Sequence, residues 1–201
     1  MSTPANQSFF DDPKELDRQT NFAGGYGANG VVGGIWPITQ DKLRPGEYIY
    51  RVGHSTQPMT KNMSSPWWMR DESFYAICDA SDRSGTQLSE LYRMKCAVSY
   101  DFGVADIVLE ARVTDLLRVF AGHGRPVVDG TEGRKGQVWF GALEIAQMYI
   151  PGLRDFKTGF PTAICRRSIE ITEKYKISDY IAVQRGRQKK ISKKLLAALE
   201  R

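Results

Sequence analysis

Histidine and cysteine are scarce in this chain: His54 and His123 are the only two histidines in 201 residues, and Cys78, Cys96 and Cys165 the only cysteines. The cysteines are far apart and odd in number, which argues against a disulfide framework and fits a reducing compartment. No C-x-x-C or H-x-x-x-H spacing occurs, so a structural zinc site is not expected and the chain is read as metal-free. No apolar run approaches the roughly 20 residues that cross a bilayer. The first twenty residues have no basic start followed by an apolar stretch, so no Sec signal is read there. The expected location is a cytoplasm, either the producing cell's own or that of a host or target cell reached without a Sec signal.

Excess charge is missing from most of the chain as well. The net charge is +5, but residues 185–201 hold seven Lys and Arg against Glu200, which leaves the remainder at −1. A basic protein by pI is therefore a neutral body with a positive end. What the sequence does have is a globular balance, with 41% hydrophobic and 25% charged residues, enough to build one core. Aromatics at 11%, four Trp among them, favour a sheet-rich core or an aromatic cleft.

Three segments follow from texture. Residues 1–35 are polar and then Gly-rich and read as a flexible arm. Residues 36–183 read as the α+β body, and 184–201 as a basic amphipathic helix in which Ile191, Leu195 and Leu199 form a narrow apolar stripe. In the body, EYIYRVGH alternates with period two after the Pro45-Gly46 turn signal, so that Tyr48, Tyr50 and Val52 oppose Ile49 and Arg51. MSSPWWM is a short extended piece, and RDESFYAICDA a helix with acids in its first turn. LYRMKCAVS and ADIVLEARV are read as strands. TDLLRVFAG is read as a helix capped by Thr114 and stopped at Gly122, EIAQMYIP as a strand, and CRRSIEITEKY as helical. Strands and helices are interspersed without regular β-α-β alternation, so the class is α+β.

The residues that carry chemistry each have a plain alternative. Gly25-Tyr26-Gly27-Ala28-Asn29-Gly30 spells G-x-G-x-x-G, but no strand precedes it and VVGGIWP cannot open a helix, so it reads as a loop. Arg51 stands mid-strand among aromatics, where a guanidinium can hold a phosphate bidentately. On residue type alone the default is a solvated strand face. In Ser64-Ser65-Pro66-Trp67-Trp68, strand alternation can bury one indole and give the other to a cleft, or both can pack in the core. Gln147 is a lone polar residue in an apolar strand, bonded to backbone or facing a cleft, while Glu144 falls on the opposite face as a solvated strand-start residue. His54 follows the Arg51 strand closely enough to border a pocket there, and His123 reads as a helix-end residue. The basic end is either a solvated helix or a surface for nucleic acid or an acidic partner.

Three of these stretches together resemble the ADP-ribosyltransferase-like superfamily of NAD-consuming enzymes. LRPGEYIYRVG looks like the first core strand, whose arginine grips the NAD phosphates, a role that falls to Arg51. MSSPWWM looks like the second segment, with Ser64 and Ser65 at the positions that support the nicotinamide-ribose pocket and Trp67 and Trp68 beside them. EIAQMYIPG looks like the last motif, where a catalytic acid opens a strand ending in Pro-Gly. At the slot where transferases carry glutamate this chain has Gln147, and Glu144 is out of phase with it. NAD glycohydrolase toxins of the tuberculosis-necrotizing-toxin type use a glutamine there. The resemblance implies a single domain with a split, mixed β-sheet core and peripheral helices. It implies NAD as substrate and cleavage of the nicotinamide–ribose bond, by hydrolysis or by transfer to a protein or nucleic-acid acceptor, in a toxin or effector. The competing reading is a non-enzymatic module that binds nucleic acid or protein through its basic C-terminal segment.

Overall fold

The computed structural model describes residues 3–20 and 33–180. The glycine-rich pattern at 25–30 and the basic segment at 184–201 lie outside the described residues. Nine strands and six α-helices are present among the described residues. They run α1 (Gln7–Phe10), α2 (Pro13–Thr20), β1 (Ile35–Leu43), β2 (Tyr48–Gly53), α3 (Met59–Met63), β3 (Trp67–Arg70), α4 (Asp71–Ser84) and α5 (Leu88–Cys96). Then follow β4 (Ile107–Val113), β5 (Leu117–Gly124), β6 (Val127–Val128), β7 (Val138–Trp139), β8 (Ala146–Tyr149), α6 (Ala163–Ser168) and β9 (Ile169–Lys176).

Seven strands form one sheet in the order β1-β5-β8-β3-β2-β4-β9, and β6 pairs with β7 apart from it. The α+β class holds, but every pairing in the sheet is antiparallel, so the expected mixed sheet is corrected. Four-residue β3 is the seam. Trp67 and Trp68 pair with Tyr149 and Met148 of β8, whereas Met69 and Arg70 pair with Tyr50 and Ile49 of β2. Beyond Tyr50 the far half of β2 therefore has no β3 partner, and the sheet parts between Arg51 and β8.

Alternation along the strands builds two apolar faces. Ile49, Trp68, Leu109 and Met148 pack on one side with Cys165 of α6. Tyr50, Val52, Met69 and Val108 pack on the other under α4 and α5, through Phe74, Ile77, Leu88 and Leu91. Helix α4 begins with Asp71 and Glu72 and ends on Gly85 in the left-handed region at φ 72°, whose N–H bonds back to Ser81 O.

Four expectations are overturned. LYRMKCAVS is not a strand: Leu88, Leu91 and Cys96 recur on one face of helix α5. TDLLRVFAG is strand β5, not a helix, and Thr114 donates its hydroxyl to Arg167 O instead of capping. Gly122 is required there because a Cβ would sit 2.6 Å from Pro37 O on neighbouring β1, so it marks a close strand approach and not a helix end. CRRSIEITEKY is only helical up to Ser168; the rest is edge strand β9, with Glu170 opposite Arg112 and ion-paired to it at 2.7 Å. Residues 3–20, read as part of an arm, pack on the sheet instead. Asn6 is buried, donating to Arg118 O and Pro151 O, Phe10 stacks on Phe120 at 4.1 Å, and buried Glu15 accepts from the Tyr149 hydroxyl. Among the described residues no helix is long and apolar enough to cross a membrane.

Candidate functional site

A cleft of about 440 Å³ opens where β2 and β8 part, within the usual range for small-molecule sites of about 300–1,000 Å³. Its walls include Arg51, His54, Ser65, Trp67 and Gln147, five of the seven side chains singled out from the sequence. Ser64 and Trp68 are not among them. Ser64 is fully buried and donates to Lys61 O, and Trp68, 1% exposed, is a core residue whose indole N–H donates to Ser65 O at 2.8 Å. Strand alternation thus gives Trp67 to the cleft and Trp68 to the core. Trp67 stands edge-on to Tyr149 at 5.0 Å, and Tyr149 also lines the cleft.

Arg51 is buried, at 7% exposure, which corrects the solvated default. Its Nη1 donates to Asn62 O at 2.5 Å, its guanidinium lies 5.8 Å from the Trp68 ring centroid, and its Nε has no partner. Burial, with the nearby Arg154 charge adding to it, lowers the Arg51 pKa to about 10, so the group is cationic at neutral pH. A buried guanidinium without a carboxylate is costly unless something anionic meets it.

Asn62 is the clasp that holds this wall together. It is 1% exposed, its Oδ1 accepts from His54 N at 2.9 Å, and its Nδ2 donates to His54 O at 2.8 Å and Gln57 O at 3.2 Å. Gly53 is needed beside it, since a Cβ there would lie 2.6 Å from Asn62 Oδ1. His54 accepts the Ala105 N–H at Nδ1, 3.0 Å, which places the neutral ring's proton on Nε2. Burial first, then the Arg51 and Arg93 charges, push its pKa down to about 4 against the opposing pull of Asp106. At neutral pH His54 is an uncharged hydrogen-bonding group.

Gln147 sits on β8 and is 8% exposed; its Nε2 donates to Cys96 O at 2.8 Å, which orients the amide. Its Oε1 has no partner among the described residues, and it is the acceptor this wall presents. Two non-glycine residues with positive φ support the wall: Ala97 at 52°, which lines the cleft and turns the chain just after Cys96, and Ala105 at 54°, buried behind it, which donates to His54. Such strain concentrates where a site must be held in place. Cys96 lines the cleft, but burial raises its pKa well above the thiol range, so it is no nucleophile. Glu144 is 60% exposed at its side chain and ion-paired to Lys95, away from the cleft, as a solvated residue. His123 is a β5 residue whose ring meets Ile145 O at 3.2 Å, not a helix end and not a cleft residue.

The structure adds residues that sequence reading missed. Lys61, Tyr92, Arg154 and Phe156 also line the cleft. Arg154 follows the Pro151-Gly152 turn and Lys61 sits in a polar stretch, and nothing local in the sequence marks either one. Among the described residues the charged ones in the cleft wall are Arg51, Lys61 and Arg154, and none of those lining it is Asp or Glu. The site is therefore built for an anion, with aromatic and amide walls around it. Among the described residues no group of three or more His, Cys, Asp or Glu side chains is placed to hold a metal ion.

No family model matches the chain, and no curated protein matches it. Solved structures similar to it include Rhs1-CT in complex with its cognate immunity protein RhsI1, at 16% identity over 79% of this chain and 95% of that one, with a TM-score of 0.42. Tne2 in complex with Tni2 is 13% identical over 68% of this chain and 88% of that one, with a TM-score of 0.41. Tse6 in complex with Tsi6 is 14% identical over 68% and 72%, with a TM-score of 0.31. Likeness at this level leaves function to the chemistry of the cleft.

Proposed function

We propose that the cleft binds NAD and cleaves its nicotinamide–ribose bond. The observation that carries this reading is the convergence of Arg51, Ser65, Trp67 and Gln147, from three separate stretches of chain, on one cationic hollow. In this reading Arg51 takes the diphosphate, Trp67 and Ser65 shape the nicotinamide-ribose end, and Gln147 Oε1 accepts from a ribose hydroxyl or from the attacking water.

Bond cleavage sends the electron pair of the C1′–N bond to the pyridinium nitrogen, so nicotinamide leaves neutral and positive charge develops on the ribose. Water or an acceptor then bonds to C1′ and loses a proton. The protein's part is positioning and electrostatics. An amide oxygen stabilises the ribose cation less than a carboxylate, and among the described residues the cleft wall has no carboxylate to add. That balance favours hydrolysis or slow transfer over rapid modification of an acceptor. An enzyme of this kind drains the NAD of the cell that holds it, which is how a toxin or effector role accompanies the reading.

Incubation of the purified protein with NAD, with nicotinamide and ADP-ribose separated by chromatography, tests it. Equal amounts of both products indicate hydrolysis, and nicotinamide without free ADP-ribose indicates transfer. No nicotinamide above the rate of Arg51→Lys, with both proteins folded, would overturn the reading.

A further inference from the structure

Arg154 is a cleft residue that neither the sequence reading nor the proposed chemistry employs. It follows β8 in the 151–162 loop, which is braced by an Arg154–Pro161 bridge, by Asp155 N–H bonding to Phe160 O, and by Gly159 N–H bonding to Asp155 O. That loop is therefore a built structure, and its arginine has a defined direction. Arg154 Nη2 donates to Lys61 O at 3.1 Å, while Arg51 Nη1 donates to Asn62 O at 2.5 Å. Lys61 and Asn62 are consecutive residues in the last turn of α3. Two guanidiniums from opposite sides of the parted sheet are thus tethered to adjacent carbonyls of one helix.

Each tether uses one nitrogen of its fork. The Nε atoms of both Arg51 and Arg154 are buried without a partner. A third such atom, Arg118 Nε, is elsewhere, on a guanidinium stacked over Phe10 at 4.0 Å. The two cleft arginines repel one another, and burial and the Arg154 charge both hold the Arg51 pKa down. Among the described residues the cleft wall provides no carboxylate to relieve this, and Lys61 adds a third positive charge. A buried guanidinium and a half-buried one, each with a buried and unpartnered Nε donor, match a ligand with two linked anionic groups, which can give each guanidinium its own set of oxygens.

We propose that Arg51 and Arg154 form a two-guanidinium clamp for a diphosphate, with Arg154 as its second anion-binding residue and nucleoside diphosphates as the ligand class. The assignment of NAD as the ligand rests on the reading above, but the clamp rests on the tethered guanidiniums alone.

Calorimetric titration with inorganic pyrophosphate, ADP, ADP-ribose and adenosine at low salt tests it on the full chain. Pyrophosphate and ADP are expected to bind wild-type protein, and Arg154→Gln to bind both about tenfold more weakly or worse, the loss of a charge-assisted hydrogen bond. Adenosine is expected to bind neither protein measurably. Tighter binding of ADP than of pyrophosphate marks a nucleotide site, and equal binding a site for the free diphosphate; the clamp holds in both. If Arg154→Gln does not fold, Arg154→Lys carries the test: it keeps the charge, loses the planar fork, and is expected to bind about fivefold more weakly. Arg118→Gln, outside the cleft, is expected to match wild type. Pyrophosphate and ADP affinities unchanged in a folded Arg154 variant would overturn the clamp, even if that variant still released nicotinamide from NAD. Arg154-dependent binding of ADP without any NAD cleavage would uphold the clamp and sink the NAD-cleaving reading instead.

Discussion

Replacing Asn62 by alanine removes the side chain on which the cleft wall depends, and its cost can be worked from the geometry. Four hydrogen bonds disappear, at 2.9 Å from His54 N, 2.8 Å to His54 O, 3.2 Å to Gln57 O and, longest, 3.5 Å to Pro58 O. The residue is 1% exposed, so the His54 N–H and C=O are left facing an apolar gap. At roughly 1 kcal/mol for each of the three shorter bonds, and up to about 1 kcal/mol more for each of the two His54 groups left buried and unpaired, the expected loss is about 3–5 kcal/mol. For a chain of this length each kcal/mol lowers Tm by about 2–4 °C, so a fall of roughly 6–20 °C is expected. Asn62→Asp keeps the acceptor for His54 N but loses both donors and should fall in between. Thermal melts followed by circular dichroism read the result. A Tm for Asn62→Ala within about 2 °C of wild type would refute the idea that this one amide organises the wall.

Three further outcomes follow from other contacts. The His54 pKa is about 4 when folded against 6.5 ordinarily, so between those values the unfolded chain binds the extra proton. The contribution of neutral His54 is complete above about pH 6.5 and lost as pH falls toward 4; urea melts at pH 7.5, 5.5 and 4.5 should show a shallower decline for His54→Gln, and parallel declines would contradict this. Glu144→Gln breaks only an exposed pair with Lys95 and should leave nicotinamide release unchanged and stability within about 0.5 kcal/mol; a large loss of activity would move the key polar group from Gln147 to Glu144. In Gly124→Ala the new Cβ would meet Cys96 O at 2.5 Å and Gln147 Nε2 at 2.7 Å, so the amide must leave its seat. Activity should drop as far as in Gln147→Ala, with about 1–3 kcal/mol lost in a denaturant melt, and an active Gly124→Ala would show that the seat is not needed.

Much of this arrangement was legible in the chain because β2 follows the Pro45-Gly46 turn signal, β8 is closed by Pro151-Gly152, and α4 carries acids in its first turn. Strand β5 was misread because both its faces are buried: Val119 joins one apolar cluster and Phe120 another, so the run shows no alternation. Helix α5 was misread in the opposite direction, since the aromatic and apolar residues of LYRMKC mimic a strand unless Leu88, Leu91 and Cys96 are counted at helical spacing. Gln147 and Arg51 stood out because a polar residue in an apolar strand is conspicuous. Arg154 and Lys61 did not, because their role arises only when a loop after β8 and the end of α3 meet across the parted sheet. No local pattern records that meeting.

Nicotinamide released from NAD by wild-type protein and by Gln147→Ala, at equal concentration and after matching melting curves, tests the central claim most directly. The account predicts steady release by the wild type and a fall of at least about a hundredfold in the variant, the scale set by removing one well-placed polar group from an active site. Equal rates in two folded proteins, or no release from either, would contradict it.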